Sequence, residues 1–363
     1  MITIRIAPAV VVFACLVGAP MVAHGEPYLA VQNGYKCVAC HVNPTGGGLR
    51  SDFGIAFAEH LMAAASLPKD VPAWTGRFGD FLRVGADLRA SWTRTDIPRN
   101  SAQQSFDLDQ IRLYANAQIV PDRVALYVDE QLAPGNASAA EAYVRLTNPG
   151  GGWILKGGRF YLPFGWRLQD QTAFVREASG VSMTTPDTGV ELGLERERWS
   201  AQLDLTNGAA NAGTGTGHQI TGQIVRVEQR YRVGAAIAAT QSQAGNRRVG
   251  GLFAGIRTGA IAWLGEADFI RDAGFAGGAR SMVAGLGEAD WMIRRGHNLK
   301  ITAEYEDPDR AVAENQQTRW SVVYEMTPIP FVQLRFGFRR YVGIPQSTLQ
   351  NRRVLFLELH GFM

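Results

Sequence analysis

The sequence predicts an all-β fold: a transmembrane antiparallel barrel of about 16 strands behind a small N-terminal α-helical segment. Three observations carry that expectation. From residue 82 onward apolar side chains recur at every second position, in segments of about ten residues. The links between segments alternate short and long, the asymmetry of a membrane barrel with tight periplasmic turns and larger outer loops. The chain also opens on an export signal.

Residues 1–25 read as that signal. Arg5 supplies the positive end, Ala7 to Met21 the apolar run, and Ala23-His24-Gly25 a small-x-small cleavage site before Glu26. Pro8, Gly18 and Pro20 interrupt the run, which is shorter than the roughly 20 residues a spanning helix needs. Cleavage removes Cys15 and leaves Cys37 and Cys40.

Residues 26–75 form the second unit, and "NGYKCVACHVNPTGGG" (33–48) is its centre. Cys37-x-x-Cys40-His41 is the spacing at which two thiols on one helical turn form thioethers to haem vinyls while the adjacent imidazole reaches the iron. One covalent haem c is therefore expected. Three alternatives stay open: a redox dithiol, a zinc site built from Cys37, Cys40, His41 and His60, and a disulfide. No strand-helix alternation surrounds the motif as a thioredoxin fold would require, and neighbouring Cys40 and His41 fit a tetrahedral zinc poorly. "RSDFGIAFAEHLMAAA" (50–65) reads as a helix with Phe53, Phe57, His60 and Leu61 on one face, which makes His60 the expected distal ligand. Met62 points elsewhere in that phase, and His297 and His360 are rivals. The Pro44 carbonyl is the expected partner of the His41 ring. So small a segment has too few apolar residues to wrap a macrocycle alone and must lean on the barrel.

Residues 76–363 are the barrel. In 82–93 the even positions, Leu82 to Trp92, are apolar and the odd ones include Arg83, Asp87 and Arg89. The alternation returns at Ile111 to Ile119 and again around Val124, Val144, Ile154, Val190, Leu203, Ile224, Ile237 and Phe253. It continues around Trp263, Trp291, Ile301, Val322, Phe336 and Leu357. Turns such as "VPDR", "NPGGG", "RTGA", "RRGHN" and "TPIP" fall on one side, against "NGAANAGTGTGHQ" and the stretch 162–187 on the other. Trp92, Trp199, Trp263, Trp291 and Trp320 suit an interfacial girdle. The last strand alternates Leu355, Leu357 and Leu359 in phase with Met363, which leaves the aromatic Phe362 one place out of register.

With Trp263, Ala267 and Phe269 toward lipid, Glu266 and Asp268 face the lumen, and the repeated "LGEAD" adds Glu288 and Asp290. Glu304 and Glu306 follow on the next strand. These six acids make a candidate cation path, opposed by Arg335 and Arg339 and by Arg83, Arg89 and Arg112, although a porin lumen is polar without any such role. A net charge of +3 from 36 basic and 33 acidic residues leaves no nucleic-acid footprint.

One haem motif ahead of a barrel resembles the fused outer-membrane monohaem cytochrome c-porins of the iron-oxidising, extracellular electron transfer type. Cys37, Cys40 and His41 match residue by residue, and "HVNPTGGGLRSDFG" is similar to related haem-barrel proteins of metal-respiring bacteria. "GRFYLPFGWR" (158–167) is similar to a segment of phosphate-selective porins. The resemblance implies an outer-membrane electron conduit with the haem segment on the periplasmic side. It would act as an Fe(II):cytochrome c oxidoreductase between a small metal ion and a periplasmic c-type cytochrome or similar carrier. A diffusion porin whose haem segment is a plug or assembly element is the alternative, and a structural protein with a zinc or disulfide clip is the third.

Overall fold

The computed structural model describes residues 26–363 apart from 69, 72–73, 209–216, 244 and 276. The expected signal peptide and Cys15 lie outside the described residues. Seventeen strands run in order: β1 (Arg77–Phe78), β2 (Leu82–Asp96), β3 (Gln103–Val120), β4 (Val124–Ala133), β5 (Ser138–Thr147), β6 (Trp153–Phe160), β7 (Asp187–Glu195) and β8 (Trp199–Thr206). They continue as β9 (Gly217–Val227), β10 (Tyr231–Ser242), β11 (Gly245–Thr258), β12 (Ile261–Asp272), β13 (Arg280–Arg294), β14 (His297–Asp307), β15 (Gln317–Ile329), β16 (Val332–Val342) and β17 (Arg353–Phe362). Each of β2 to β17 pairs antiparallel with its sequence neighbours, and β17 returns to β2 with Leu357 opposite Trp92. The result is a closed 16-stranded barrel; β1 adds a two-residue pairing with β2. Closure removes every open edge, which lipid demands of a spanning sheet.

Alternation decides which side chains face lipid. Leu88, Leu203, Ile237, Leu252, Phe336 and Leu357 are exposed on the outer surface, while Asp87, Arg89, Arg112, Glu266 and Arg335 are buried inside. Trp199, Trp263, Trp291 and Trp320 stand outward at 43–58% exposure, as a girdle requires. The terminal phase mismatch has a physical cause: Phe362 turns inward, 3% exposed, and its ring lies under the Arg50 guanidinium at 4.4 Å. The tight turns gather at one end of the barrel: 121–123, 148–152, 196–198, 228–230, 259–260, 295–296 and 330–331. The other end carries longer links such as 161–186, 308–316 and 343–352. The end of β10 departs from that pattern: Ser242 pairs directly with Gly245 at the start of β11.

The N-terminal segment is no separate domain but a plug in the short-turn mouth. It contains α1 (Pro27–Asn33), α2 (Cys37–Cys40) and α3 (Asp52–Phe57), the last running on through Met62 as a wider π turn. Its ties go to the turns around it: Gln32 Nε2 donates to the Gly259 carbonyl (3.0 Å), Lys36 Nζ to Glu195 (3.1 Å), and Ala64 N to the Thr327 carbonyl (2.8 Å). From the opposite side the link 161–186, with α4 (Phe174–Ser179), folds down into the lumen. Tyr28, Val31 and Leu49 of the plug share one apolar cluster with Leu162, Phe164 and Trp166 of that link and with Phe160, Val225 and Phe253 of the wall.

Candidate functional site

The haem-type motif sits on the plug's shortest helix. α2 ends at His41, whose N–H donates to the Cys37 carbonyl (3.0 Å), and the chain then turns back so that Ser51 N donates to the Cys40 carbonyl (2.9 Å). Gly46, Gly47 and Gly48 all have positive φ, and a Cβ on Gly46 would lie 3.3 Å from Cys37 Sγ. Only glycine makes this turn without strain while keeping the thiol's surroundings open. Cys37 and Cys40 are free thiols, so no disulfide joins them.

His41 is half-buried, and the loss of solvent around its ring, with Arg50 adding to it, pushes the imidazole pKa down to about 3. It is therefore neutral, the form that binds a metal. Its Nδ1 is buried without a hydrogen-bond partner. The carbonyls of Gly48 and Gly47 oppose the shift and stand where the Pro44 carbonyl was expected.

Cys37, Cys40 and His41 line one cavity that opens to solvent at its mouth. Trp166 and Arg167 of the folded link, Arg232 and Phe253 of the wall, and His360 and Phe362 of the last strand complete it. The two motifs singled out separately in the sequence thus meet: Arg167 Nη2 donates to Thr45 Oγ1 (2.9 Å), the residue just before the glycine triplet.

His60 does not belong to this cavity. Its side chain is 66% exposed, beside Glu59, and Phe53 and Leu61 are exposed with it. Of the face expected inward only Phe57 is buried and lines the cavity; Phe53, His60 and Leu61 stand outward, because Gly54, Ile55 and Ala58 pack beside Phe57 and Met62 is half-buried. A Cβ on Gly54 would meet the Cys40 carbonyl oxygen at 2.0 Å, so helix and motif touch through glycine. The π turn then carries Met62 into the cavity wall, contrary to the expected phase. Without His60 the zinc alternative lacks its fourth ligand, and among the described residues no group of three or more His, Cys, Asp or Glu is placed to hold a metal ion. His297 bonds the Tyr324 hydroxyl away from the cavity. His360 lines it, but with Nε2 against Asp87 (2.8 Å) and Arg89 (2.9 Å) and Nδ1 near Gln333.

Glu266, Asp268, Glu288, Asp290 and Glu304 do gather inward on one wall, each at most 8% exposed, with Glu306 half-buried at the end of its strand. They are not an open acidic path. Arg176 of α4 pairs with Glu266, Arg319 with Glu304, and Lys300 reaches Glu26 (2.6 Å), Glu325 (3.5 Å), Glu288 and Asp290 (both 3.9 Å). Trp166 N also donates to Glu266 (3.0 Å). The facing arginines are likewise engaged: Arg335 with Glu325 and Glu358, Arg339 with Asp170, Arg89 with Asp87, Arg112 with Asp129, and Arg83 with Asp52 of the plug. Opposite charges meet as pairs rather than as two charged walls. The pairs of Glu266 with Arg176 and of Arg339 with Asp170 depend on the link 161–186 entering the barrel, for which the sequence's one signal was the aromatic "FYLPFGW" run inside a supposed outer loop.

No family model and no curated protein matches the chain. Solved structures do match the barrel. It is similar to an anion-selective porin from Comamonas acidovorans (TM-score 0.61, 10% identity, covering 78% of this chain and 99% of that one). It is also similar to the outer membrane channel DcaP of Acinetobacter baumannii (0.57, 12%, 78% and 97%) and to OprB of Pseudomonas putida (0.59, 10%, 78% and 94%). The fold is that of an outer-membrane porin.

Proposed function

We propose that this chain is an outer-membrane electron conduit whose plug carries one covalent haem c in the lumen. It would exchange electrons between a periplasmic carrier, such as a c-type cytochrome, and a small metal ion outside, ferrous iron first among them. The observation that carries the reading is the convergence of Cys37, Cys40 and His41 on a single lumenal cavity. The residues fit the group: two free thiols, a neutral imidazole with an unpartnered nitrogen, and a glycine that leaves room beside Cys37. When bound, the haem supplies a one-electron couple that no side chain here offers.

The chain's own parts have separable tasks. Cys37 and Cys40 would hold the haem through thioether bonds and His41 would ligate its iron, while Trp166, Phe253 and Phe362 line the cavity around them. Tight turns at the plugged end put it on the periplasmic side by the usual barrel asymmetry. In place of the exposed His60, the cavity-lining Met62 would be the second side chain able to ligate the iron. The acidic residues fix the link 161–186 and the plug in this reading, so a cation's route to the centre does not run along them.

A second reading, a diffusion channel with a structural plug, draws support from the porins and channel named above. The apolar cluster filling the lumen weighs against it. Purified protein from cells with intact cytochrome maturation should show a reduced c-type spectrum with dithionite and a haem-staining band on denaturing gels, lost in Cys37→Ala/Cys40→Ala. Unstained wild-type protein that lets small sugars swell liposomes would overturn the conduit in favour of the channel.

A further inference from the structure

Five cationic side chains line the cavity: Lys36, Arg50, Arg89, Arg167 and Arg232. Two are neutralised, Lys36 by Glu195 (3.1 Å) and Arg89 by Glu358 (3.0 Å) and Asp87 (3.2 Å). The other three have no carboxylate within 4.0 Å among the described residues. Arg232 is 6% exposed; its Nη2 donates to the Tyr35 carbonyl (2.7 Å), its Nη1 is 4.0 Å from Cys37 Sγ, and its Nε is buried without a partner. Arg167 donates to Thr45 Oγ1 (2.9 Å) and the Tyr161 carbonyl (3.1 Å). Arg50 lies over the Phe362 ring at 4.4 Å and Arg232 over Trp166 at 5.7 Å.

The nearby acids are committed elsewhere. Asp87 accepts from Gln110 and Arg89 and faces His360, and Glu141 accepts from Asn43 and from Tyr161 N. Rings and carbonyls share a guanidinium's charge without cancelling it, and an ion withdrawn from water without a counter-ion is costly. Three such groups around one cavity call for an anionic guest, and the planar donor fork of arginine suits paired oxygens.

We infer that Arg50, Arg167 and Arg232 form an anion-binding site in the lumen for a ligand bearing paired carboxylates. Resting on the haem reading above, that ligand is the porphyrin with its two propionates; a free inorganic anion is the other source of the same chemistry.

The test uses the full chain with Cys37→Ala/Cys40→Ala, which has no covalent attachment, in detergent. Protoporphyrin IX, its dimethyl ester and inorganic phosphate are titrated separately and bound ligand is read from quenching of tryptophan fluorescence, with Trp166→Phe identifying the reporter beside Arg232. The free diacid should bind about 10-fold or more tightly than the ester, the scale of a lost charge-assisted hydrogen bond. Arg167→Gln/Arg232→Gln should erase that preference while Arg232→Lys keeps part of it. Equal binding of diacid and ester to the unsubstituted arginines overturns the site with no variant needed. Phosphate that competes with the diacid supports the site, and does so even where the wild-type chain proves to carry no haem, in which case the free anion is the guest and only the haem reading fails.

Discussion

At the scale of single residues, Lys300 is the clearest case of a side chain whose removal has consequences far from itself. One ammonium stands among Glu26, Glu288, Asp290 and Glu325, all within 3.9 Å, in a region nearly closed to solvent. Breaking a buried pair leaves its partner charged and unpaired, at a cost of about 3–5 kcal/mol. Lys300→Met should lower the temperature at which the barrel loses its fast-migrating form in detergent gels, and a second change of Glu26→Gln should recover part of the loss. Unaltered thermal behaviour in Lys300→Met would show that the network is hydrated. Glu26 also gives the plug a pH dependence. Burial raises its pKa from 4.5 to about 7, with Lys300 opposing and Glu325 reinforcing the rise. The folded pKa exceeds the unfolded one, so the contribution is fully present below about 4.5 and is lost as pH climbs toward 7. Protease should cut the plug more readily at pH 8 than at pH 5, and Glu26→Gln should flatten that difference. An equal slope in the variant assigns the effect to another group.

At the scale of elements, the strands were legible and the plug was not. A period of two needs only neighbours in sequence, so each of the sixteen barrel strands announced itself through residues such as Leu82 to Trp92 or Trp263 to Phe269. The plug is held by contacts between residues far apart, Lys36 with Glu195 or Glu26 with Lys300, which leave no periodic trace. Its helix was read correctly at Phe57 but not at Phe53, His60 and Leu61, because the stripe packed beside Phe57 includes Gly54 and Ala58, too small to register as apolar. That stripe makes a sharp prediction. Gly54→Val drives a Cβ into the Cys40 carbonyl at 2.0 Å, where backbone must move, at a cost at the upper end of the roughly 1–3 kcal/mol of overpacking. The plug should become protease-sensitive and haem staining should fall while the barrel keeps its heat-modifiable migration. Ala56→Val, on the exposed side of the same helix, should do neither. The motif itself was legible at Cys37, Cys40 and His41, whereas Trp166, Arg167 and Arg232 reach the cavity only through barrel closure and an inward-folded link.

At the scale of the whole molecule, the two ends of the barrel differ in more than loop length. The plug bonds to the turns 196–198, 259–260 and 295–296 and to the end of β15, so its position and the membrane topology are one question rather than two. Whichever side the tight turns face, the cavity at Cys37 faces with them, and a centre at that end leaves most of a hydrocarbon layer of about 30 Å to be crossed by something else. The proposed topology, following the usual barrel asymmetry, has the tight turns in the periplasm. In a Cys37→Ala/Cys40→Ala background, a cysteine at Val312, 51% exposed in the link 308–316, should react with a membrane-impermeant maleimide on intact cells. A cysteine at Glu197, exposed in the turn 196–198, should react only after the outer membrane is opened. Reversal of the two would put the plug outside, where periplasmic carriers could not reach it, and would overturn the proposed exchange with a periplasmic carrier.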